Sequence, residues 1–228
     1  MTGKATWVNG GAFLKRYSSQ EAAETAFKRS IVAQAAGVPT PTVLGQSGPM
    51  VLSFERIAAQ GKPLLGEMVQ VVSLLHRMPP RGLARFDPFL RISSRLSAAP
   101  PPVGLLVDAL QRQDAALCWS GVSAIHGDFH PGQTVRDSLG KVWLIDLDDM
   151  ALAPPEADLG NLAAWLATQT TGELGALEAD ALAQVLPLAP DADPILVAHF
   201  CAIALVRRAL KLAERGQCWV IGQLPLRA

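Results

Sequence analysis

The sequence predicts an α+β fold with two lobes, in which a small lobe built on a β-sheet precedes a mainly helical lobe. Most strand-like runs fall before residue 60, whereas helical periodicity governs most of the chain beyond it. Half of the 228 residues are apolar, which is enough to form a sizeable core. We therefore predict an N-lobe at residues 1–60 and a C-lobe at residues 61–228.

The N-lobe is predicted to begin with a β-hairpin. The run ATWVNGGAFLKRY reads as two short strands around Asn9-Gly10-Gly11, because Asn-Gly accepts the positive φ angles of a tight turn. Two further strands are predicted at 42–44 and 50–57, with Gly48-Pro49 as the turn between them. The first sixty residues should therefore contain a small sheet.

One helix of roughly four turns is predicted within this lobe. Ser18 and Glu21 have the spacing of a capping box at its start, and the stretch from Gly37 to Pro39 ends it. The apolar residues that recur at helical spacing, and so form its predicted buried face, are Ala23, Phe27 and Ile31.

The C-lobe follows a linker-like stretch at 58–63. A helix is predicted from Leu64 to Leu75, and Pro79-Pro80 prevents it from continuing. A loop is predicted at 98–104, followed by a second helix at 104–117. The C-lobe should therefore begin with helices.

A strand-like run at Val142–Asp146 interrupts the helical pattern, which returns between residues 158 and 215. The predicted core residues of these last helices are Leu162, Trp165, Leu166, Leu205, Leu210 and Leu212.

Charge and cysteine content exclude several classes of protein. Lys and Arg number 20, as do Asp and Glu, so there is no basic excess to bind nucleic acid or an anionic membrane. Cys118, Cys201 and Cys218 are widely spaced, which favours reduced thiols in a cytoplasmic protein. The sequence shows neither a secretory leader nor an apolar run of about 18 residues, so we expect no membrane span.

The segment AIHGDFHPGQTVRDSLGKVWLIDLDD concentrates the residues with catalytic potential. Asp128, in a predicted loop, has the chemistry of a general base. Asp146 follows a buried strand, where a carboxylate needs a cation or a donor, and a divalent ion is a natural partner. The alternative interpretation is that Asp128 and Asp146 only stabilise a turn or cap a helix. His126 and His130 are interpreted as side chains that brace the loop rather than as zinc ligands, because the neighbouring donors are oxygens.

This segment resembles a known family. HGDFHPGQTV, LIDLDD and ADLGNLAAWL together are similar to the signature of the aminoglycoside phosphotransferase and choline kinase group, a branch of the protein-kinase-like fold. AFLKRY, AAGVPTPTVLG, MVLSFERI and SLLHRMP resemble, in the right order, the lysine strand, the end of the first helix, the hinge strand and an early C-lobe helix. The resemblance covers nearly the whole chain.

The resemblance implies roles in catalysis and metal binding. Asp128 would be the base that accepts the proton of a substrate hydroxyl, and Asp146 would bind the Mg²⁺ that bridges the nucleotide phosphates. Asp148 would assist at the metal or orient substrate, and Gln133 stands at the position of a second metal ligand. His126, His130 and Asp158 would support the catalytic loop.

It also implies an ATP site. Lys15 would hold the α- and β-phosphates, with a solvated strand lysine as the alternative. Glu24 would orient Lys15, because residues 24, 27 and 31 share one helix face, and Glu21 is the alternative partner. The predicted hinge, whose backbone would read the adenine, consists of Phe54, Glu55, Arg56 and Ile57.

Two departures from the family pattern concern the nucleotide. Gln133 replaces an Asn, which moves the metal-binding oxygen by one methylene. The stretch before AFLKRY is too short for the family's first strand and glycine-containing phosphate loop, so the N-lobe is expected to be truncated. Nucleotide affinity should then be poor, unless a homo-oligomer or a partner chain completes the N-lobe.

The sequence thus predicts a cytoplasmic ATP- and Mg²⁺-dependent phosphotransferase that acts on a hydroxyl of a small molecule. A pseudokinase-like binding module is the alternative, and a metal-dependent phosphoester hydrolase using His126, Asp128, His130 and Asp146 is the third. The acidic residues available to a cationic acceptor, but expected on a solvated helix face, are Glu173, Glu178 and Asp180.

Overall fold

The computed structural model describes residues 5–99, 101–117, 119, 121–169 and 173–214. The strands are β1 (Ala5–Asn9), β2 (Ala12–Arg16), β3 (Val43–Gly48), β4 (Val51–Glu55), β5 (Ser123–Ile125), β6 (Thr134–Arg136), β7 (Val142–Leu144) and β8 (Ala151–Ala153). The helices are α1 (Gln20–Ala35), α2 (Leu65–His76), α3 (Leu90–Ser93), α4 (Pro101–Ala116), α5 (Glu156–Ala167), α6 (Leu174–Val185) and α7 (Pro194–Ala213). The predicted mixture of a small sheet and a largely helical remainder is confirmed.

The chain forms two compact units, each made of two segments. Unit 1 comprises Met1–Leu83 and Pro131–Met150, and unit 2 comprises Ala84–His130 and Ala151–Ala228. The lobes predicted at 1–60 and 61–228 stay a prediction.

The main sheet of unit 1 is antiparallel throughout, with the strand order β1-β2-β4-β3. The predicted hairpin is present: Ala5 pairs with Arg16 and Asn9 with Ala12, around Gly10 at a φ of 58°. That positive φ is the reason glycine follows asparagine at this turn. The pairing of β2 with β4 brings the Lys15 strand beside the predicted hinge strand.

Helix α1 packs on this sheet through small side chains. Its buried residues are Ala23, Ala26, Ser30 and Ala33. Of the predicted buried face, Ala23 is confirmed, but Phe27 and Ile31 were wrong, because they are 38% and 41% exposed. The predicted cap is also one residue too early, since Ser19 is the N-cap and its hydroxyl accepts from the Ala22 N–H at 3.1 Å.

Unit 2 is built around three helices, α5, α6 and α7. Gly160 lets α5 approach α7 closely, because a Cβ at this position would lie 2.6 Å from the backbone nitrogen of Cys201. The predicted core residues that are fully buried are Leu162, Leu205 and Leu210, and those that are half-buried are Trp165, Leu166 and Leu212.

Helix α4 corrects the predicted loop at 98–104. The helix begins at Pro101, within the proline-rich stretch. Proline fits the first turn of a helix, where its missing N–H has no intrahelical acceptor to lose.

The thiol of Cys201 is buried, while Cys118 and Cys218 lie outside the described residues. Within the described part of the chain, no helix is both long enough and apolar enough to cross a membrane.

Candidate active site

A cavity of about 460 Å³ in unit 1, here called the sheet cavity, collects most of the predicted nucleotide and metal residues. Its volume lies within the range of about 300–1,000 Å³ typical of small-molecule sites. Strands β2 and β4 contribute to its wall, and so does the segment that runs from Gly132 to Asp148. The predicted site residues that line it are Lys15, Phe54–Ile57, Gln133, Asp146 and Asp148.

Lys15 is buried at the wall of the sheet cavity, with only 7% of its surface exposed. Its ammonium forms an ion pair with Asp146 and lies 2.8 Å from Oδ2 of Asp148. It also lies 5.3 Å from the ring centre of Tyr17. Because a buried ammonium is costly without partners, these contacts explain how the strand holds a lysine here instead of an apolar residue. Lys15 is therefore not a solvated strand lysine.

Asp146 lies two residues after the end of β7, in a left-handed conformation with φ 60° and ψ 56°. It is the one non-glycine residue with a positive φ among the described residues. Such a conformation costs on the order of 1–3 kcal/mol and persists where the surroundings over-determine it. Two carboxylates, Asp146 and Asp148, thus converge on the Lys15 ammonium.

Two residues that the sequence analysis missed hold Asp148. The Tyr17 hydroxyl donates to Oδ1 of Asp148 at 3.2 Å, and burial, followed by the Asp148 charge, raises the pKa of Tyr17, so the hydroxyl stays a donor. Arg29, from α1, donates to the backbone carbonyl of Asp148, although burial lowers the pKa of its guanidinium. A lone Tyr or Arg carries no motif that could have identified either contact.

Gln133 is buried in the short turn Pro131–Gln133 and lines the sheet cavity. Its backbone carbonyl accepts from the Ile145 N–H at 2.9 Å. The residue before Asp146 is thereby tied to the turn that carries Gln133.

The hinge residues differ in what their backbone can offer. The Glu55 N–H donates to the Thr42 carbonyl at 2.7 Å, and the Arg56 N–H donates to the Gly11 carbonyl at 3.3 Å. These two donors are therefore engaged within the protein, and Phe54 lies inside β4 between the paired strands β2 and β3. Ile57 is then the hinge donor to consider for a ligand.

Glu24, the predicted partner of Lys15, does not contact it. It lies on the exposed face of α1, where its Oε1 accepts from Gln20 at 2.9 Å. The reason is the rotation of the helix, since α1 buries its small residues and turns the face of residues 24, 27 and 31 to solvent. Glu21 is exposed too.

In unit 2, the buried Asp158 anchors the loop that carries Asp128. Its carboxylate accepts from the backbone N–H of His126 at 2.7 Å and of Gly127 at 3.0 Å. Gly127 has a φ of 79°, a conformation that disfavours a side chain. The ring of His126 is fully buried, and its Nδ1 accepts from the Asp128 N–H at 3.4 Å. The loop is thus held by its backbone, with the Asp128 side chain partly exposed.

Two further residues position Asp128 in unit 2. Arg207 donates to Oδ1 of Asp128 at 3.0 Å and to Oδ1 of Asn161 at 2.6 Å. Asn161 donates in turn to the Phe129 carbonyl at 2.6 Å. Asn161 stands three residues after Asp158, one helical turn away, so its spacing was a signal in the sequence, whereas Arg207 had none.

Asp128 and the half-buried His130 line a cavity of about 200 Å³ in unit 2, here called the basic cavity. Its basic lining residues are Arg91, Arg95, Arg207, Arg208 and Lys211. Burial is the main cause that lowers the pKa of His130.

Two other predictions concern acidic and metal-binding groups. The expected solvated face holds for Glu173 and Asp180, which are exposed, but it is wrong for Glu178, which is 5% exposed. Within the described ranges, no group of three or more His, Cys, Asp or Glu side chains is placed to hold a metal ion. The metal-dependent phosphoester hydrolase stays a prediction.

Comparison with protein families gives a match to the phosphotransferase enzyme family over residues 4–193. No curated protein matches the chain by sequence.

Solved structures share the fold at low sequence identity. A choline/ethanolamine kinase family protein from Mesorhizobium loti is 18% identical with a TM-score of 0.67, and the match covers 93% of this chain and 78% of that one. The choline kinase LicA from Streptococcus pneumoniae is 16% identical with a TM-score of 0.64, and the match covers 95% of this chain and 83% of that one. The aminoglycoside phosphotransferase APH(3'')-Id from Streptomyces rimosus, in complex with ADP and streptomycin, is 18% identical with a TM-score of 0.57. The match covers 86% of this chain and 87% of that one.

Proposed function

The chain belongs to the phosphotransferase enzyme family, and from this premise we propose that it transfers the γ-phosphoryl group of ATP, with Mg²⁺, to a hydroxyl of a small molecule. The observation that carries the proposal is the convergence of Asp146 and Asp148 on the buried ammonium of Lys15 in the sheet cavity. A phosphate-binding lysine beside metal-binding carboxylates is what phosphoryl transfer requires.

The nucleotide would occupy the sheet cavity. The base would pack among apolar side chains such as Val8, Phe13 and Ile145, and the Ile57 N–H would donate to it. Lys15 would turn from the carboxylates to the phosphates when these arrive. The ADP bound to the Streptomyces rimosus enzyme, which shares the fold, supports a nucleotide as the ligand.

The residues present fit Mg²⁺. Asp146, Asp148 and Gln133 supply carboxylate and amide oxygens, which are the donors that this hard cation prefers. The two carboxylates already meet at one cationic group, so their positions suit a shared positive charge. When bound, Mg²⁺ would neutralise charge on the phosphates of the nucleotide.

Asp128 would act on the acceptor. Its carboxylate would accept a hydrogen bond from the acceptor hydroxyl, orient the oxygen for attack and take the proton as the new bond to phosphorus forms. Arg207 and Asn161 would fix the orientation of this carboxylate, while Asp158 holds the loop from beneath. The chain thereby supplies positioning and charge, which are the main contributions to this chemistry.

Gln133 favours a second candidate, a pseudokinase-like module that binds nucleotide without transferring phosphate. Its longer side chain departs from the usual metal-ligand geometry, in chemistry where about 1 Å of misplacement can cost on the order of 100-fold. The two candidates share nucleotide binding and differ in turnover.

Calorimetry with Mg·ATP, followed by ³¹P NMR of Mg·ATP incubated with a panel of small hydroxyl compounds, tests the proposal. Binding that needs Mg²⁺, together with acceptor-dependent ADP and a new phosphoester signal, is expected. Binding without any acceptor-dependent product would favour the pseudokinase-like module, and the absence of nucleotide binding would overturn both.

A further inference from the structure

The basic cavity of unit 2 concentrates positive charge around Asp128. Five basic side chains line it, and Asp128 is the one carboxylate among the described residues of its lining. The chain as a whole has equal numbers of basic and acidic residues, so this excess is local. A cluster of this kind is costly to bring together unless it meets negative charge.

Two carboxylates, those of Asp128 and Glu214, form ion pairs with arginines of the cluster. Asp128 is shared, because Oδ1 lies 3.0 Å from Arg207 and Oδ2 lies 3.9 Å from Arg91. Arg95 pairs at 3.0 Å with Glu214, whose side chain is half exposed to water. The Nε of Arg208 is buried with no hydrogen-bond partner in the described part of the chain.

The ionisation of the cavity residues agrees with a positive local potential. Burial lowers the pKa of Arg208 to about 10, and repulsion from Arg207 acts in the same direction. For His130, burial is the largest cause of a lowered pKa, and the charges of Arg208 and Lys211 add to it against the opposing effect of Asp128. An anion in the cavity would relieve this repulsion.

The position of Asp128 connects this charge to the acceptor. A base must lie within hydrogen-bond reach of the hydroxyl whose proton it takes, so the rest of the acceptor must lie near the walls around Asp128. Arginine and lysine are the side chains that bind carboxylates and phosphates by charge-assisted hydrogen bonds. The acidic residues of α6, Glu178 and Asp180, do not line this cavity.

We propose that the acceptor is an anionic hydroxyl compound, whose own carboxylate or phosphate is held by Arg208, Lys211 and their neighbours while its hydroxyl faces Asp128. This inference rests on the proposed phosphotransferase function. It differs from a cationic acceptor, for which the walls of the basic cavity would be repulsive. The volume of about 200 Å³ suits a compound of a few carbon atoms.

Calorimetry of the full chain without nucleotide tests the anion site directly. The probes are four small compounds with similar hydroxyl groups: glycerate, glycerol 3-phosphate, glycerol and choline. We expect at least one of the two anions to bind at least tenfold more tightly than glycerol and choline, and the comparison of glycerate with glycerol 3-phosphate identifies the preferred anion. Binding of neither anion, or equal binding of glycerol or choline, would overturn the proposal.

Two variants separate the basic cavity from general charge effects. Lys211→Gln should weaken binding of the anionic probe about tenfold, whereas Lys28→Gln, on the exposed surface of α1, should leave it unchanged. Arg208→Gln should act like Lys211→Gln, provided that circular dichroism shows an intact fold. Equal effects of Lys28→Gln and Lys211→Gln would contradict a site in the basic cavity.

The alternative ligand of the basic cavity is the phosphoryl group of the nucleotide. A competition experiment distinguishes this group from the anionic group of an acceptor. The anionic probe should bind to protein saturated with Mg·AMP-PNP, and its displacement by Mg·AMP-PNP would overturn the proposal. If the anion binds as expected but no acceptor is phosphorylated, the anion site stands and the phosphotransferase function fails. If neutral or cationic acceptors are phosphorylated with a KM that Lys211→Gln does not change, the function stands and the anionic acceptor is wrong.

Discussion

Lys15 and Asp146 form an ion pair across 131 residues of sequence. The pair joins β2 to a residue just beyond the end of β7, and Oδ2 of Asp148 lies 2.8 Å from the same ammonium. Because the ammonium is buried, the two carboxylates offset part of the cost of removing its charge from water. The pair places the cation that we propose for the nucleotide phosphates beside the oxygens that would hold Mg²⁺.

Replacement of Asp146 by Asn should affect Mg·ATP and metal-free ATP differently. The change removes a negative charge that would attract Mg²⁺, so we expect the Kd for Mg·ATP to rise about tenfold or more, which corresponds to about 1.4 kcal/mol. Metal-free ATP should bind as well as before or more tightly, because Lys15 loses a competing partner. Calorimetry measures both, with Asp191→Asn on an exposed loop as the control. Equal weakening of both ligands would show that Asp146 does not bind the metal.

The Ile57 backbone N–H is predicted to donate to the adenine. Ile57→Pro removes this donor, and Ile57→Ala keeps it while shortening the side chain. A net hydrogen bond contributes about 0.5–1.5 kcal/mol, so the Pro variant should bind Mg·ATP up to about tenfold more weakly than the Ala variant. Isothermal titration of both variants checks this. If the two variants bind equally well, the hinge does not read the base through residue 57.

Gln133→Asn discriminates the enzyme from the binding module. In a working site adapted to Gln, the shorter side chain should withdraw its oxygen and lower kcat about tenfold or more. Steady-state kinetics and nucleotide affinity must be measured separately, since the two can change independently. A gain in Mg·ATP affinity, or ATPase activity that the wild type lacks, would contradict the enzyme and support a repurposed site.

Gly160→Ala should destabilise unit 2. The added Cβ would lie 2.6 Å from the Cys201 nitrogen and 2.8 Å from the Phe200 carbonyl carbon, so α5 and α7 would have to separate. Overpacking of this kind costs about 1–3 kcal/mol of unfolding free energy. Gly104→Ala, in α4 with open space around it, should instead be neutral or add up to about 1 kcal/mol. Urea unfolding followed by circular dichroism compares the two, and an unchanged midpoint for Gly160→Ala would show that the helices yield without cost.

Features that follow a recurrent pattern of residue types and spacing could be predicted from the sequence. The hairpin around Gly10 could be predicted because few residues adopt its φ angles, and the positions of Lys15 and Asp146 could be predicted from their motifs. The face of α1 could not, because alanines give little hydropathy contrast, and the distance to the sheet decides which of them are buried. The mistaken Lys15 partner, Glu24, follows from that error.

Contacts over long sequence distances were also beyond prediction. Arg207 and Asp128 are 79 residues apart, and a single arginine in a helix has no periodicity that identifies its partner. The basic cavity shares this property, since its residues come from α3, its following turn, the Asp128 loop and α7. Its charge becomes visible only when the fold brings those segments together.

Asp128→Asn isolates the contribution of the proposed proton acceptor to phosphoryl transfer. The substitution keeps the size of the side chain and removes the proton acceptor, so acceptor-dependent transfer from Mg·ATP should fall about 10²–10⁴-fold. The Kd for Mg·ATP should change little, whereas the Tm should fall modestly, because Arg207 and Arg91 lose the carboxylate with which they pair. A variant that retains more than about a tenth of the wild-type transfer rate would contradict the role of Asp128 as the base, and with it the proposed mechanism.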